Sequence, residues 1–160
     1  MRKTKGFSLV ELLIVVAIIL VIAAIAIPSF LHSRMAANES AAVAAIRTLN
    51  TAQISFNSAY PTVGFAGTLA VLGGSGANCT PPSSTTACLI DDNLAGGQRS
   101  GYTFTLSNVT GTPNSTYSVI AAPNLVNYSG IRYFCSYADA VVRVSMTAIS
   151  TCDGSIPPQQ

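Results

Sequence analysis

Glu11 makes the sharpest chemical demand in this chain. It follows Phe7-Ser8-Leu9-Val10 and precedes sixteen uninterrupted apolar residues, 12–27. An ionised carboxylate inside an apolar segment of membrane length costs a few kcal/mol, so it calls for a cationic partner or for headgroups to which it can snorkel. Other reactive groups are few. His32 is the only histidine and stands far in sequence from Cys79, Cys88, Cys135 and Cys152. Ser75 sits between glycines, without the strand–turn–helix setting of a hydrolase nucleophile. Asp91-Asp92-Asn93, with Asp139 or Asp153, offers oxygens to calcium, yet calcium takes about six to eight ligands and no loop signature matches. Asn78, Asn108, Asn114 and Asn127 head glycosylation-type triplets, which arise by chance in so Asn/Ser/Thr-rich a chain. Neither catalysis, a metal nor a cofactor is expected.

The four cysteines form an even set without a Cys-x-x-Cys spacing, which favours disulfides in an oxidising compartment over zinc. Adjacency in sequence favours Cys79–Cys88 and Cys135–Cys152, although four cysteines allow three pairings. Charged residues make up 9% of the 160, against about 25% in an ordinary soluble domain. Arg2, Lys3 and Lys5 crowd the first six residues, leaving five basic and six acidic side chains beyond them. No basic stripe remains to grip phosphates, so no specific nucleic acid is expected as a partner.

These residues are carried by a simple order of elements. Residues 7–31 are apolar apart from Ser8, Glu11, Pro28 and Ser29, and about twenty helical residues span a bilayer's hydrocarbon. Pro28 lacks an N–H and crowds the carbonyl four residues back, which predicts a kink or local melting at Leu20 to Ala24. Beyond it Met35, Ala42, Leu49 and Phe56 recur every seven residues, with Ala45, Ile46, Ala52 and Ala59 on the same face. Arg34, Asn38, Glu39, Arg47, Asn50 and Asn57 fall largely elsewhere, the pattern of an amphipathic helix over 32–60. The two stretches read as one rod, about 80 Å long, ended by Tyr60-Pro61.

Residues 61–100, rich in Gly, Ser, Thr and Pro, read as a long connecting loop. Four strands follow at 101–106, 117–122, 131–135 and 141–144, each bounded by turn residues. The expected fold class is α+β. A long N-terminal helix packs on a small C-terminal antiparallel sheet, with 61–160 as loop and head.

The run Lys3-Thr4-Lys5-Gly6-Phe7-Ser8-Leu9-Val10-Glu11, with the apolar segment behind it, resembles the leader and N-terminal segment of type IV prepilins. The resemblance is strongest over residues 1 to 35 and architectural beyond 60, including a cysteine pair bracketing the C-terminal region. It implies cleavage between Gly6 and Phe7 by a prepilin peptidase, removal of residues 1–6, and N-methylation of Phe7. It further implies that Glu11 pairs with the new α-amino group of a neighbouring subunit and sets axial register. The partners implied are other copies of the chain, the peptidase, a pilus assembly platform and the cytoplasmic membrane, which the subunit leaves for an extracellular fibre. Pilins typically carry a proline at the place of Pro28, and many a glycine where this chain has Leu20. Rival readings are a type II secretion pseudopilin and a minor or tip pilin that binds a surface. Adhesion, twitching motility and DNA uptake are all roles of such fibres.

Overall fold

Helix α1, Leu9–Ala59, opens the computed structural model, which describes residues 7–74, 79 and 81–159. Residues 1–6, and with them Gly6, lie outside the described residues, as do Ser75, Gly76 and Asn78 of the connecting loop. Two units divide at Arg34 and Met35.

In the first unit α1 is apolar on every side and buried on none. Leu9, Leu12, Leu13, Ile18, Ile19, Leu20, Ile25 and Phe30 are all more than half exposed. Valine and isoleucine are indifferent helix formers in water. In hydrocarbon, however, every backbone N–H and C=O must be satisfied within the segment, and a helix does this whatever its side chains. By length and composition this helix is able to cross a membrane. The helix is unbroken through Leu20–Ala24 and Pro28, so the local melting expected ahead of the proline is absent from the single chain.

The second unit is built on the remainder of α1. Met35, Ala42, Val43, Ala45, Ile46, Leu49, Ala52 and Phe56 form its buried stripe. The segment after α1 is more structured than a loop. It contains two single-turn helices, α2 (Leu69–Leu72) and α3 (Asp92–Ala95), capped by Thr68 and Asp91. They bring Leu69, Leu72 and Leu94 into the core.

Among the described residues five strands, rather than the expected four, make an antiparallel meander in chain order: β1 Gln98–Arg99, β2 Tyr102–Gly111, β3 Asn114–Pro123, β4 Tyr133–Tyr137 and β5 Arg143–Ser145. Tyr102, Phe104, Tyr117, Val119, Ala121 and Phe134 pack in one core with the α1 stripe, while Ile120 and Cys135 belong to a smaller cluster on the opposite face. That alternation is the two-residue period of a strand. The tail closes the sheet edge, because Val144 N–H donates to Pro157 O and Gln159 N–H to Val142 O. Two prolines in that tail leave fewer donors for a further strand.

Two polar residues of α1 expected away from the buried stripe, Glu39 and Asn50, join it, and so does Gln53. Glu39, Asn50 and Gln53 are buried. Gln53 holds the N–H and C=O of Ala66. The Asn50 amide donates to Ser136 Oγ and Ala140 O and accepts from Tyr117 Oη. Burial, helped by Asp139, pushes the Tyr117 phenol up to about 12, so it stays a neutral donor across the physiological range.

Glu39 latches the β3–β4 connection. Its Oε1 accepts from the N–H groups of Ile131 and Arg132 at 2.9 and 3.1 Å, and its Oε2 from Arg132 Nε at 2.7 Å. Burial alone raises its pKa. The two backbone donors and the guanidinium outweigh it and bring the value below the ordinary one. The latch therefore stabilises fully above about pH 4.3, the unfolded value, and is lost as pH falls through the lowered folded one. Glu39→Gln is expected to cost about 1–3 kcal/mol at pH 7, because Arg132 stays partly solvated. It should also flatten the acid limb of the stability–pH curve, which denaturant titrations from pH 2 to 7 will read.

The same connection needs Gly130. A Cβ there would lie 2.1 Å from Tyr102 Oη, which donates to Arg132 O from a fully buried side chain. Gly130→Ala is expected to cost about 1–3 kcal/mol through overpacking, read as a lower unfolding midpoint.

Candidate assembly site at the N-terminus

Ser8-Leu9-Val10-Glu11 is a capping-box sequence, and the structure uses half of the box. Glu11 Oε2 accepts from Ser8 N–H at 2.9 Å, and Leu12 N–H donates to Ser8 O at 3.2 Å to open the helix. The carboxylate also sits in the first turn, where the helix dipole favours negative charge. In the single chain Glu11 therefore has a partner within its own backbone, one residue from Phe7. The Ser-x-x-Glu spacing signals this bond, but the charge within the apolar run is the more conspicuous feature. Phe7 is 79% exposed, so none of the described residues covers the point where a new terminus would arise. An ammonium group on Phe7, or on another chain brought to this end, would meet a carboxylate already aimed towards the helix N-terminus.

Pro28 lies within α1 and His32 is exposed on it. Neither joins the Phe7–Glu11 cluster. The cysteines are bridged as Cys79–Cys88 and Cys135–Cys152, with Cα separations of 5.8 and 5.9 Å. The first ties the loop after α2. The second fixes the C-terminal segment to β4.

Three of the carboxylates that could offer oxygens to calcium, Asp91, Asp139 and Asp153, have partners within the chain. Asp91 caps α3 and pairs with Arg99. Asp139 pairs with Arg143 at 2.6 Å. Partial burial raises the Asp139 pKa, but Arg143 and the Val141 N–H overcome that and lower it. Asp153 accepts from Ser155. Among the described residues no three His, Cys, Asp or Glu side chains converge as metal ligands.

Mass spectrometry of unreduced peptides from mature protein is expected to show both bridges and no alkylatable thiol. Loops of this length gain about 2–4 kcal/mol from closure. Crossed pairings would contradict the described sheet.

An α+β architecture, with a long helix whose second half carries a small antiparallel sheet, is that of a pilin fold. Residues 1–27 match the family model described as the prokaryotic N-terminal methylation motif. The chain is 48% identical over 54 residues to the type IV major pilin protein PilA of Myxococcus xanthus, covering 34% of this chain and 24% of that one. It is 52% identical over 44 residues to the type IV wide pilus major component PilA4 of Thermus thermophilus, covering 28% and 34%. The matched stretches thus span about a quarter to a third of these curated relatives. No solved structure matches. The chain carries the N-terminal methylation motif of type IV prepilins and is similar over part of its length to type IV major pilins.

Proposed function

We propose that the chain is a structural subunit of a bacterial type IV pilus, not an enzyme. The observation that carries this reading is the Phe7–Glu11 segment. One carboxylate sits at the head of an apolar helix whose large side chains are exposed, within residues matching the methylation motif.

In this reading residues 1–6 are a leader that holds its end in the cytoplasm through Arg2, Lys3 and Lys5. A prepilin peptidase cuts between Gly6 and Phe7, and Phe7 is N-methylated. Residues 7–31 anchor the subunit in the cytoplasmic membrane and then form the apolar core of the fibre. Residues 32–60 are the amphipathic helix under the head, and 61–160 the loop and sheet displayed outside the cell. An assembly platform transfers subunits from membrane to fibre, with the Glu11 carboxylate of one meeting the α-amine of another. Such a fibre serves adhesion, motility or DNA uptake.

The test is electron microscopy of cells with and without the chain, using antibody to the head. Fibres that vanish on deletion and are decorated along their length are expected. Undecorated fibres that persist would exclude a major subunit.

A further inference from the structure

Exposed apolar side chains of the second unit gather in one place. Ile54, Val63, Leu89 and Val141 stand singly, as is usual on a protein surface. Leu125, Val126, Tyr128 and Ile131, by contrast, are between 41% and 62% exposed within the single connection from β3 to β4. Met146, also exposed, lies at the same end of the sheet, because Ser145 before it pairs with Tyr133. Residues 124–131 carry no charge, and the Arg132 that follows is paired with Glu39. Apolar surface gathered in this way marks a partner or a membrane.

The connection displays these side chains while keeping its backbone paired. Tyr128 N–H and Ser129 N–H both donate to Leu125 O, and Asn127 N–H donates to Gly130 O. Ser129 Oγ accepts from Leu125 N–H. Asn127 turns the chain with a φ of 65°, a left-handed conformation that asparagine accepts. Backbone groups satisfied internally are what a poorly hydrated layer requires.

The attachment to α1 points to the occupant. Asn38 donates to Ser129 O and Glu39 accepts from Ile131 and Arg132, whereas Asn50 and Gln53 hold Ser136, Ala140 and Ala66 further along the helix. Of these anchorages, that of the β3–β4 connection comes first after the apolar residues 7–31. Asn38 is seven residues beyond Leu31, a reach of at most about 25 Å whatever the angle between the two units. So small a patch falls far short of the roughly 20–30 residues a side that a stable protein interface uses. A tethered loop needs no such area, because the tether itself supplies a high effective concentration of lipid. Tyrosine among aliphatic side chains also suits the headgroup level, which accommodates an apolar body and a polar tip. We propose, resting on the reading of residues 7–31 as a membrane anchor, that the β3–β4 connection is a foot whose apolar side chains enter the headgroup layer of the bilayer holding the subunit. The contact is made before assembly and given up when the subunit leaves for the fibre.

The chain contains no tryptophan, so a single one introduced by substitution reports on its own surroundings. The full chain would be reconstituted at high lipid-to-protein ratio in phosphatidylcholine vesicles, brominated either near the top of the acyl chains or deep within them. Leu125→Trp probes the foot and Ile19→Trp the middle of residues 7–31. Val141→Trp, as exposed as Ile131 but at the opposite end of the sheet, is the control. Leu125→Trp should lose most of its emission to the shallow bromines and little to the deep ones. Ile19→Trp should show the reverse, and Val141→Trp should lose little to either. An unquenched Leu125→Trp beside a quenched Ile19→Trp would overturn the proposal and leave the anchor standing. If Ile19→Trp is unquenched, the anchor reading falls and the proposal with it. A blue-shifted Leu125→Trp untouched by bromine would assign the patch to a second copy of the chain. Equal quenching at Val141→Trp would show a head lying on lipid without a preferred face. Either result overturns the foot.

Discussion

Glu11→Ala is expected to leave membrane insertion intact and nearly abolish surface fibres. Insertion should be no worse, since removing a charge makes the segment more apolar. Assembly should fail because each α-amine would enter the apolar core of the fibre without its carboxylate. Leaving one partner of such a buried pair uncompensated costs about 3–5 kcal/mol, at every subunit added. The hydrogen bond from Ser8 N–H to Glu11 in the single chain adds a discriminating variant. Glutamine can still accept that bond at the third helical position, so Glu11→Gln keeps the cap and loses only the charge. If charge pairing governs assembly, Gln should fail as Ala does, with processed monomer accumulating in the membrane. If capping of the helix were the role, Gln would restore the fibres. Counting fibres and quantifying membrane monomer in both strains reads the difference.

Gly6→Leu is expected to have an equally large effect one step earlier. Glycine has no Cβ, so the chain before the scissile bond can lie against a protease backbone, and a leucine cannot approach as closely. The leader should then remain on the chain, leaving no free amine at Phe7 and no fibres. Immunoblots would show a single slower-migrating, membrane-bound form. A normally processed Gly6→Leu chain would place the cleavage elsewhere.

The long helix was legible because its signals are dense and local. Leu12 to Ile27 leave no other spanning structure in hydrocarbon, and Met35, Ala42, Leu49 and Phe56 keep helical spacing until Tyr60-Pro61. β2 to β5 were legible from alternation, although β2 runs on to Gly111 and β5 begins at Arg143. α2, α3 and β1 were missed because four or two residues do not complete a period. The buried roles of Glu39, Asn50 and Gln53 were hidden for another reason. Their partners at Ile131, Ser136 and Ala66 lie 92, 86 and 13 residues away, and no local pattern announces such pairs. At the candidate site the carboxylate was conspicuous, whereas its hydrogen bond to Ser8 was not.

Lys3 and Lys5 are the only lysines, so residues 7–160 contain none, and a chain cleaved before Phe7 would carry a single amine, at its terminus. Intact-mass and N-terminal fragment spectra of subunits from purified surface fibres therefore test the central claim most directly. The account predicts one species spanning residues 7–160, heavier by one methyl group placed on Phe7 and lighter by the four hydrogens of two disulfides. A chain retaining residues 1–6, one beginning beyond Ala24, or fibres lacking this chain altogether would contradict it.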